Sequence, residues 1–468
     1  MKKDAFPFQY FTPSRAQRIQ GMFRNLIFSR KRKRGVASRS LDDAQKEPNH
    51  SLLSPIHRLP PEILTEIFAI LCVTVLISPQ EIPDIMSISQ VCCLWREIVL
   101  STPLLWSDFE VTSRYYACSS SGKVQEDIEE MSALIDRVRL FLERSRNVPL
   151  TLTLSIEVGG AKMQELLSIL LESADRWKDL DIRALYFRRP VLELLSRHLS
   201  SLQSLALTYN TLNTDPSRHW SLLRLPWGHL TKLEALFVDG PSLAALLRKC
   251  PRLKVLKLIG YTYSNTQTTS PITLSCLETL FLRGKGTPLL LGDLSLPNLT
   301  TLDFEDHYIG NWINDTHLIV ESLQRSSCTI VNLAFGLPPI LTRAEEMLAF
   351  LRLFPSLQTL SIESDRRDAI EHFIAPILGA RSFLFPRLLA LTLVARCYKK
   401  AQSAFIKQLL SVVLPRGSPE LDNQRPGAGI AGLRPLIISI KGPERRPASD
   451  KDFANIQRLR DVGLRVSM

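Results

Sequence analysis

A short unit, L-x-x-L-x-[apolar], recurs along this 468-residue chain and narrows the folds open to it. Copies stand at Leu202/Leu205/Leu207, Leu233/Leu236/Val238, Leu253/Leu256/Leu258, Leu277/Leu280/Leu282 and Leu299/Leu302/Phe304. Three more follow at Ile330/Leu333/Phe335, Leu357/Leu360/Ile362 and Leu388/Leu391/Leu393, and Trp177/Leu180/Ile182 is an earlier, aromatic-led copy. Successive starts among the eight main copies lie 20 to 31 residues apart, a spacing at which each unit is one strand plus its return. No such unit buries its apolar side chains alone, so neighbours must stack. Pro-x-Leu leads into four copies, at Pro251, Pro297, Pro355 and Pro386. Proline there ends a preceding helix and favours extended backbone just before the strand. Helix-period segments fall between the strands, at Val191–Leu199, Leu243–Cys250, Arg343–Phe354 and Gln402–Val413. The expected fold class is α/β. Residues 150–468 are read as an irregular leucine-rich-repeat solenoid with parallel strands inside and helices outside. A flexible loop is expected near 415–435, where Pro, Gly and charge occur without period, before an apolar strand at Leu436–Ile440.

A different pattern occupies the stretch before the repeats. It reads Leu59-Pro60-Pro61-Glu62, then a helix face of Ile63, Leu64, Ile67, Phe68 and Leu71. Pro60 and Pro61 suit first helical positions, where no backbone N–H is required. A second short helix is expected from Asp84 to Ser89, and a third carries Val91, Cys92, Trp95 and Val99 on one side, with Leu105-Trp106 beyond it. Three short helices in fewer than fifty residues bury little apolar area, so this module should need a partner.

The order LP-x-E, V-C-x-x-W and L-W resembles the F-box, the adaptor-binding motif of SCF-type ubiquitin ligases. Two departures stand out: Cys93 replaces the usual basic residue, and the Cys72–Pro83 gap is longer than the family's simplest form. Further on, RVRLFLERSRNVP at Arg137–Pro149, the alternating run LTLTLSI and Arg176-Trp177-Lys178 resemble fungal F-box proteins with C-terminal leucine-rich repeats. The resemblance implies a substrate-recognition subunit. Its F-box would bind a Skp-type adaptor, and through it a cullin, while the repeats bind an unidentified target protein. The alternative is a non-ligase interaction scaffold using the same repeats. Leu59, Pro60, Ile63, Leu64, Ile67, Val91, Cys92, Trp95 and Trp106 are the residues expected to form or support the adaptor-facing surface. The reading divides the chain into a disordered basic tail (1–50), the F-box (51–110), a helical linker (111–149) and the repeats (150–468).

The formal charge of +12 suggests a nucleic-acid partner until it is located. Residues 1–41 hold eleven Lys or Arg against one acid, so the rest carries only +2 and no broad phosphate-binding face is expected. Arg30, Lys31, Arg32, Lys33 and Arg34 have the length of a nuclear-import signal. A solvated charge run is the alternative. A third reading is an acid-poor amphipathic segment from Ser14 to Phe28 that lies on a membrane or directs mitochondrial import. The expected location is nucleus or cytoplasm, with no transmembrane segment and no signal peptide. No catalytic motif, cofactor fingerprint or metal-ligand spacing is present in the sequence, so no enzyme, no cofactor and no metal site is expected. The eight cysteines form no C-x-x-C pair and are expected to be small, reduced side chains.

Where the leucines of each unit face inward, the residue between the last two faces outward. Those positions read Ala206, Phe237, Lys257, Phe281, Asp303, Ala334, Ser361 and Thr392. Phe237, Lys257 and Phe281 are the expected centre of a target-binding patch, two aromatic rings with a cation between them. The alternative has another segment covering both rings.

Overall fold

The computed structural model describes residues 55–79, 82–113, 124–156, 161–184, 199–209, 225–236, 240–263, 271–305, 316–336, 344–364, 387–395, 437–441, 457 and 465–467. The chain divides into two compact units, Met1–Ser201 and Leu202–Met468. That division falls inside the stretch read from sequence as one repeat domain. The basic run Arg30–Arg34, Phe237, the 415–435 loop and the segments expected to be helical at 191–198 and 402–413 lie outside the described residues.

The first unit interleaves helices and strands: α1 (Pro61–Leu71), β1 (Val75–Ile77), α2 (Asp84–Ile88), α3 (Cys93–Ser101) and β2 (Asp108–Ser113). Then follow α4 (Val124–Arg144), β3 (Leu150–Ile156), α5 (Ala161–Leu171) and β4 (Trp177–Ala184). The four strands pair in that order, all parallel. β1 and β2 were not legible as strands. Yet they carry the same inward row as their neighbours: Val75 and Ile77 register with Phe109 and Val111, and these with Leu152 and Leu154. All six are buried. β2 crosses the sequence boundary placed at residue 110, and the expected linker is largely α4. Phe141 on α4 meets Trp106 edge-on at 4.9 Å and Phe109 at 5.5 Å, so this helix packs on the preceding module.

The turn after α4 explains a sequence feature. Arg146 takes φ 49°, which ends the helix. Ser145 is fully buried, donates to the Leu142 carbonyl (2.9 Å) and accepts from Arg176 Nη2 (3.0 Å). Trp177 Nε1 donates to Ser173 Oγ (3.2 Å). The L-E-R-S and R-W-K segments therefore meet in space, with one hydroxyl joining helix end to strand start.

The second unit is built from β5 (Ser204–Tyr209), β6 (Lys232–Leu236), α6 (Gly240–Arg248), β7 (Val255–Thr262), β8 (Ile272–Thr273) and β9 (Thr279–Lys285). It continues with α7 (Thr287–Gly292), β10 (Leu294–Ser295), β11 (Thr301–Glu305), α8 (Thr316–Ser326), β12 (Asn332–Gly336) and α9 (Ala344–Leu351). β13 (Thr359–Ser364), β14 (Ala390–Ala395), β15 (Ile437–Lys441) and β16 (Arg465–Ser467) complete it. Short β8 and β10 pair with each other, and the remaining strands run parallel in chain order. Parallel neighbours require a crossover between strands, and among the described residues α6 to α9 occupy four of those connections, β6–β7, β9–β11, β11–β12 and β12–β13.

One hydrogen-bond device repeats at each lead-in. The Gln203 carbonyl accepts the N–H groups of Thr231 and Lys232 (2.8 and 3.1 Å), and the Thr231 carbonyl those of Lys254 and Val255. Lys254, Glu278, Thr300, Val331 and Gln358 hand the pattern on in turn. The Pro turns share a second bond, from the N–H of Leu253, Leu299 and Leu357 to the carbonyl three residues earlier. Leu277 makes the same bond without a proline, so proline favours the turn but does not define it. The inward row Leu205, Leu233, Leu256, Leu280, Leu302, Leu333, Leu360 and Leu391 is continuous and buried throughout. Phe304 and Phe335 stack at 5.9 Å, and Phe350 of α9 meets both edge-on.

One repeat differs from the sequence reading. β6 pairs Leu233 with Leu205 and Leu256, and Ala235 with Leu207 and Leu258. The copy is therefore Leu230/Leu233/Ala235, three residues earlier than Leu233/Leu236/Val238. Its outward position is Glu234, in register with Ala206 and Lys257, and not Phe237. Leucines at 230, 233 and 236 offer two frames, and only cross-strand pairing selects one.

Candidate functional site

α1 starts at Pro61, with Pro60 as N-cap at φ −56° and ψ 150°, the geometry that two consecutive prolines favour. Leu64 N–H donates to the Pro60 carbonyl at 3.1 Å. Along the helix two apolar stripes run about 100° apart. Leu64, Phe68 and Leu71 are buried, and Phe68 meets the Trp95 ring edge-on at 4.9 Å. Ile63 and Ile70 are 47% and 50% exposed, with Ile67 half-buried between them. The stripe at 63, 67 and 70 has i, i+4, i+7 spacing, so its side chains form one continuous face.

The expected adaptor residues thus separate into two classes. Leu64, Trp95 and Trp106 are interior: they hold the three helices together and present nothing outward. Trp106 Nε1 donates to the Val99 carbonyl (2.8 Å), which ties the last turn to α3. Ile63, Pro60 and Val91 are exposed, while Leu59, Ile67 and Cys92 are half-buried. Several exposed residues had not been picked out: Ile70, Val73, Leu76, Ile82, Leu94 and Leu104, the last 62% exposed. Ile70 was within reach, because it continues the Ile63 stripe by one turn. Leu104 was not, since nothing in Leu104-Leu105-Trp106 marks which neighbour turns inward. Of ten large apolar side chains that are exposed among the described residues, eight lie between Ile63 and Leu104. A monomer seldom leaves so concentrated an apolar set in water without a partner.

The described residues of the long gap between α1 and α2 are held in place. Thr74 takes φ 49° and turns the chain into β1. The carboxylate of Asp108 on β2 accepts hydrogen bonds from Thr74, although burial outweighs them and raises its pKa above the usual carboxylate range. Arg137 of α4 donates Nη1 to the carbonyls of Ser78 and, at 3.3 Å, Pro79. Burial, reinforced by the Asp84 charge, pushes the Cys72 thiol up to about 12, so it stays protonated and inert. Cys93, in contrast, is exposed.

On the outward face of the second unit, Lys257 and Phe281 are register partners. The Lys257 ammonium lies 2.6 Å from Glu234 and 5.5 Å from the Phe281 ring centre. The Arg283 guanidinium lies 4.6 Å from the same ring and 3.9 Å from Glu363. The ring is therefore flanked by two cations, each tethered to a carboxylate. The structure brings Lys257 and Phe281 together. It does not put an aromatic ring on the far side of Lys257 in this row, because Glu234 is there.

Among the described residues no cluster of His, Cys, Asp and Glu could hold a metal ion, and no helix is long and apolar enough to cross a membrane. No curated protein matches the chain. A solved structure described as the crystal structure of the Rad7 and Elc1 complex in yeast is 13% identical, covers 64% of this chain and 74% of its own, and has a TM-score of 0.39. At that score the overlap bears on neither fold nor function. The family described as F-box-like matches residues 56–111, the segment that contains α1 to α3 and the exposed apolar set. Residues 56–111 form an F-box-like domain.

Proposed function

We propose that this chain is the substrate-recognition subunit of an SCF-type ubiquitin ligase. The F-box-like domain binds a Skp-type adaptor, the adaptor brings a cullin, and the parallel-strand unit receives the target. The observation that carries the reading is the gathering of exposed apolar side chains between Ile63 and Leu104, inside the family match. On this reading the strand unit is a leucine-rich-repeat solenoid of the kind found in fungal F-box proteins. Its in-register leucine rows and repeated lead-in bonds support that.

The subunit does no chemistry of its own. It holds a target near a charged conjugating enzyme and so raises the effective concentration of a target lysine. Target capture centres on Lys257 and Phe281, with Arg283 in place of the expected Phe237 as the neighbour of the ring. Arg30–Arg34 directs the chain to the nucleus, and replacing the five residues with Ala shifts a tagged protein to the cytoplasm. A mitochondrial wild-type protein would contradict both the import and the ligase readings.

Affinity purification with mass spectrometry tests the main proposal. The wild-type chain should recover adaptor and cullin, and the Leu59→Ala, Pro60→Ala double variant neither. Adaptor without cullin would favour a non-ligase scaffold. Undiminished adaptor recovery by the double variant would remove Leu59 and Pro60 from the surface.

A further inference from the structure

We propose that the outward face of β1 to β4 docks an extended segment of the target that carries Lys or Arg at alternate positions. This rests on the reading of the chain as a target receptor. Strand register determines what the face carries. Phe109, Val111, Leu152, Leu154, Leu180 and Ile182 are buried in the inward rows, so the residues alternating with them turn outward. One outward row reads Asp108, Thr151 and Asp179, and the next reads Leu76, Glu110, Thr153 and Asp181. Each row holds two carboxylates with a threonine between them. Arg183, two residues beyond Asp181, lies 2.8 Å from that carboxylate and 3.7 Å from Glu110. Asp108 and Asp179 have no ion-pair partner among the described residues, and Lys178 stands at a bulge outside the register.

A separate observation points to an occupant that donates hydrogen bonds. Thr153, between Glu110 and Asp181, is only 7% exposed, yet its hydroxyl has no hydrogen-bond partner among the described residues. An enclosed hydroxyl without a partner is costly, and a guanidinium or ammonium would supply the missing donor. The neighbouring row makes the same demand. Burial, and with it the Asp179 charge, holds the Asp108 carboxyl above the usual carboxylate range despite its bonds from Thr74. A cation placed over Thr151 would favour the ionised form of both Asp108 and Asp179. The two rows lie two residues apart along each strand, about 7 Å, which is the spacing of alternate side chains in an extended segment. The second unit's outward cations differ, because Lys257 and Arg283 already stand beside Glu234 and Glu363.

The test uses the full chain and a short labelled peptide of alternating Lys and Ser, with binding read by fluorescence anisotropy at low ionic strength. Asp108→Asn with Asp179→Asn keeps the shapes and the acceptors for Thr74 and Thr151, and should weaken binding roughly tenfold without lowering the melting temperature. Thr153→Val should weaken binding about threefold and also leave the melting temperature no lower, because the hydroxyl has no internal bond to lose. Unchanged affinity in the double variant, or equal affinity for a peptide with the same Lys gathered in one block, would overturn the proposal. If the wild type binds no peptide but a variant with Arg30–Arg34 replaced by Ala does, the chain's own tail is the occupant and the proposal fails. It fails as well if neither binds. Adaptor and cullin recovery should be the same for wild type and double variant, so the receptor reading stands or falls on that separate measurement.

Discussion

The F-box-like domain and the strand-rich second unit are both rich in leucine and isoleucine, yet they dispose of them in opposite ways. Between β5 and β14 the apolar rows are closed on themselves, and only Leu353 and Leu389 are large, apolar and exposed among the described residues. Between Ile63 and Leu104 eight such side chains remain outside. A parallel stack gains burial with each added unit, whereas three short helices have one small interior and two apolar faces. The first arrangement is complete by itself. The second leaves an apolar face uncovered among the described residues.

That contrast can be broken at α1. Phe68→Ala removes a fully buried ring from Trp95 and should cost about 3–5 kcal/mol of folding stability in a denaturant titration. Ile63→Ser, one stripe away on the same helix, should cost less than ~0.5 kcal/mol while removing adaptor binding. Equal costs at the two positions would mean that the outer stripe is covered within the chain itself.

Stacking in the second unit can be probed where backbone approaches side chain. A Cβ added at Gly284 would collide with the Tyr261 ring and stand 2.6 Å from the Tyr261 carbonyl. That ring is buried, with its hydroxyl 2.6 Å from Thr287 Oγ1. Gly284→Ala should therefore lower stability by about 2 kcal/mol, read as a shifted unfolding midpoint, without altering adaptor affinity. Gly286, at φ 81°, opens α7 and completes the G-x-G pair, which is a structural turn.

How much of this was legible depended on whether a residue's partner was local. The Leu rows followed from spacing, because each strand repeats the same requirement. The β6 frame did not, since Leu230, Leu233 and Leu236 satisfy the spacing twice and Leu205 and Leu256 decide between them. β1 is three residues long and exists only as the neighbour of β2, so no local pattern announces it. On α1 both stripes are apolar, and periodicity marked the helix without saying that Leu64 turns in and Ile63 out. Trp95 and Trp106 were singled out as motif positions, but motif position does not distinguish a contact from the interior support beneath it.

A smaller effect sharpens the account of the gap between α1 and α2. Burial raises the folded-state pKa of Asp108 above its unfolded value, so its ionised form costs stability at neutral pH. That cost fades as pH falls through the folded pKa and is gone below the unfolded one. Asp108→Asn keeps an acceptor for Thr74 and should raise the melting temperature by about 2 °C at pH 7, and by less at pH 4. A drop at pH 7 would mean that the charge is needed to hold the turn. Smaller still, Phe281→Ala with Lys257→Ala should leave the melting temperature within ~1 °C, because the Lys257–Glu234 pair is partly exposed. Target capture should nonetheless be lost, and full capture would withdraw the patch.

The contrast between the two units is tested most directly by hydrogen–deuterium exchange of the full chain with and without a purified Skp-type adaptor. The account predicts new protection over Leu59–Leu71 and Val91–Leu94, and none over β5 to β14. Protection confined to the strands, or none over α1 at saturating adaptor, would contradict it.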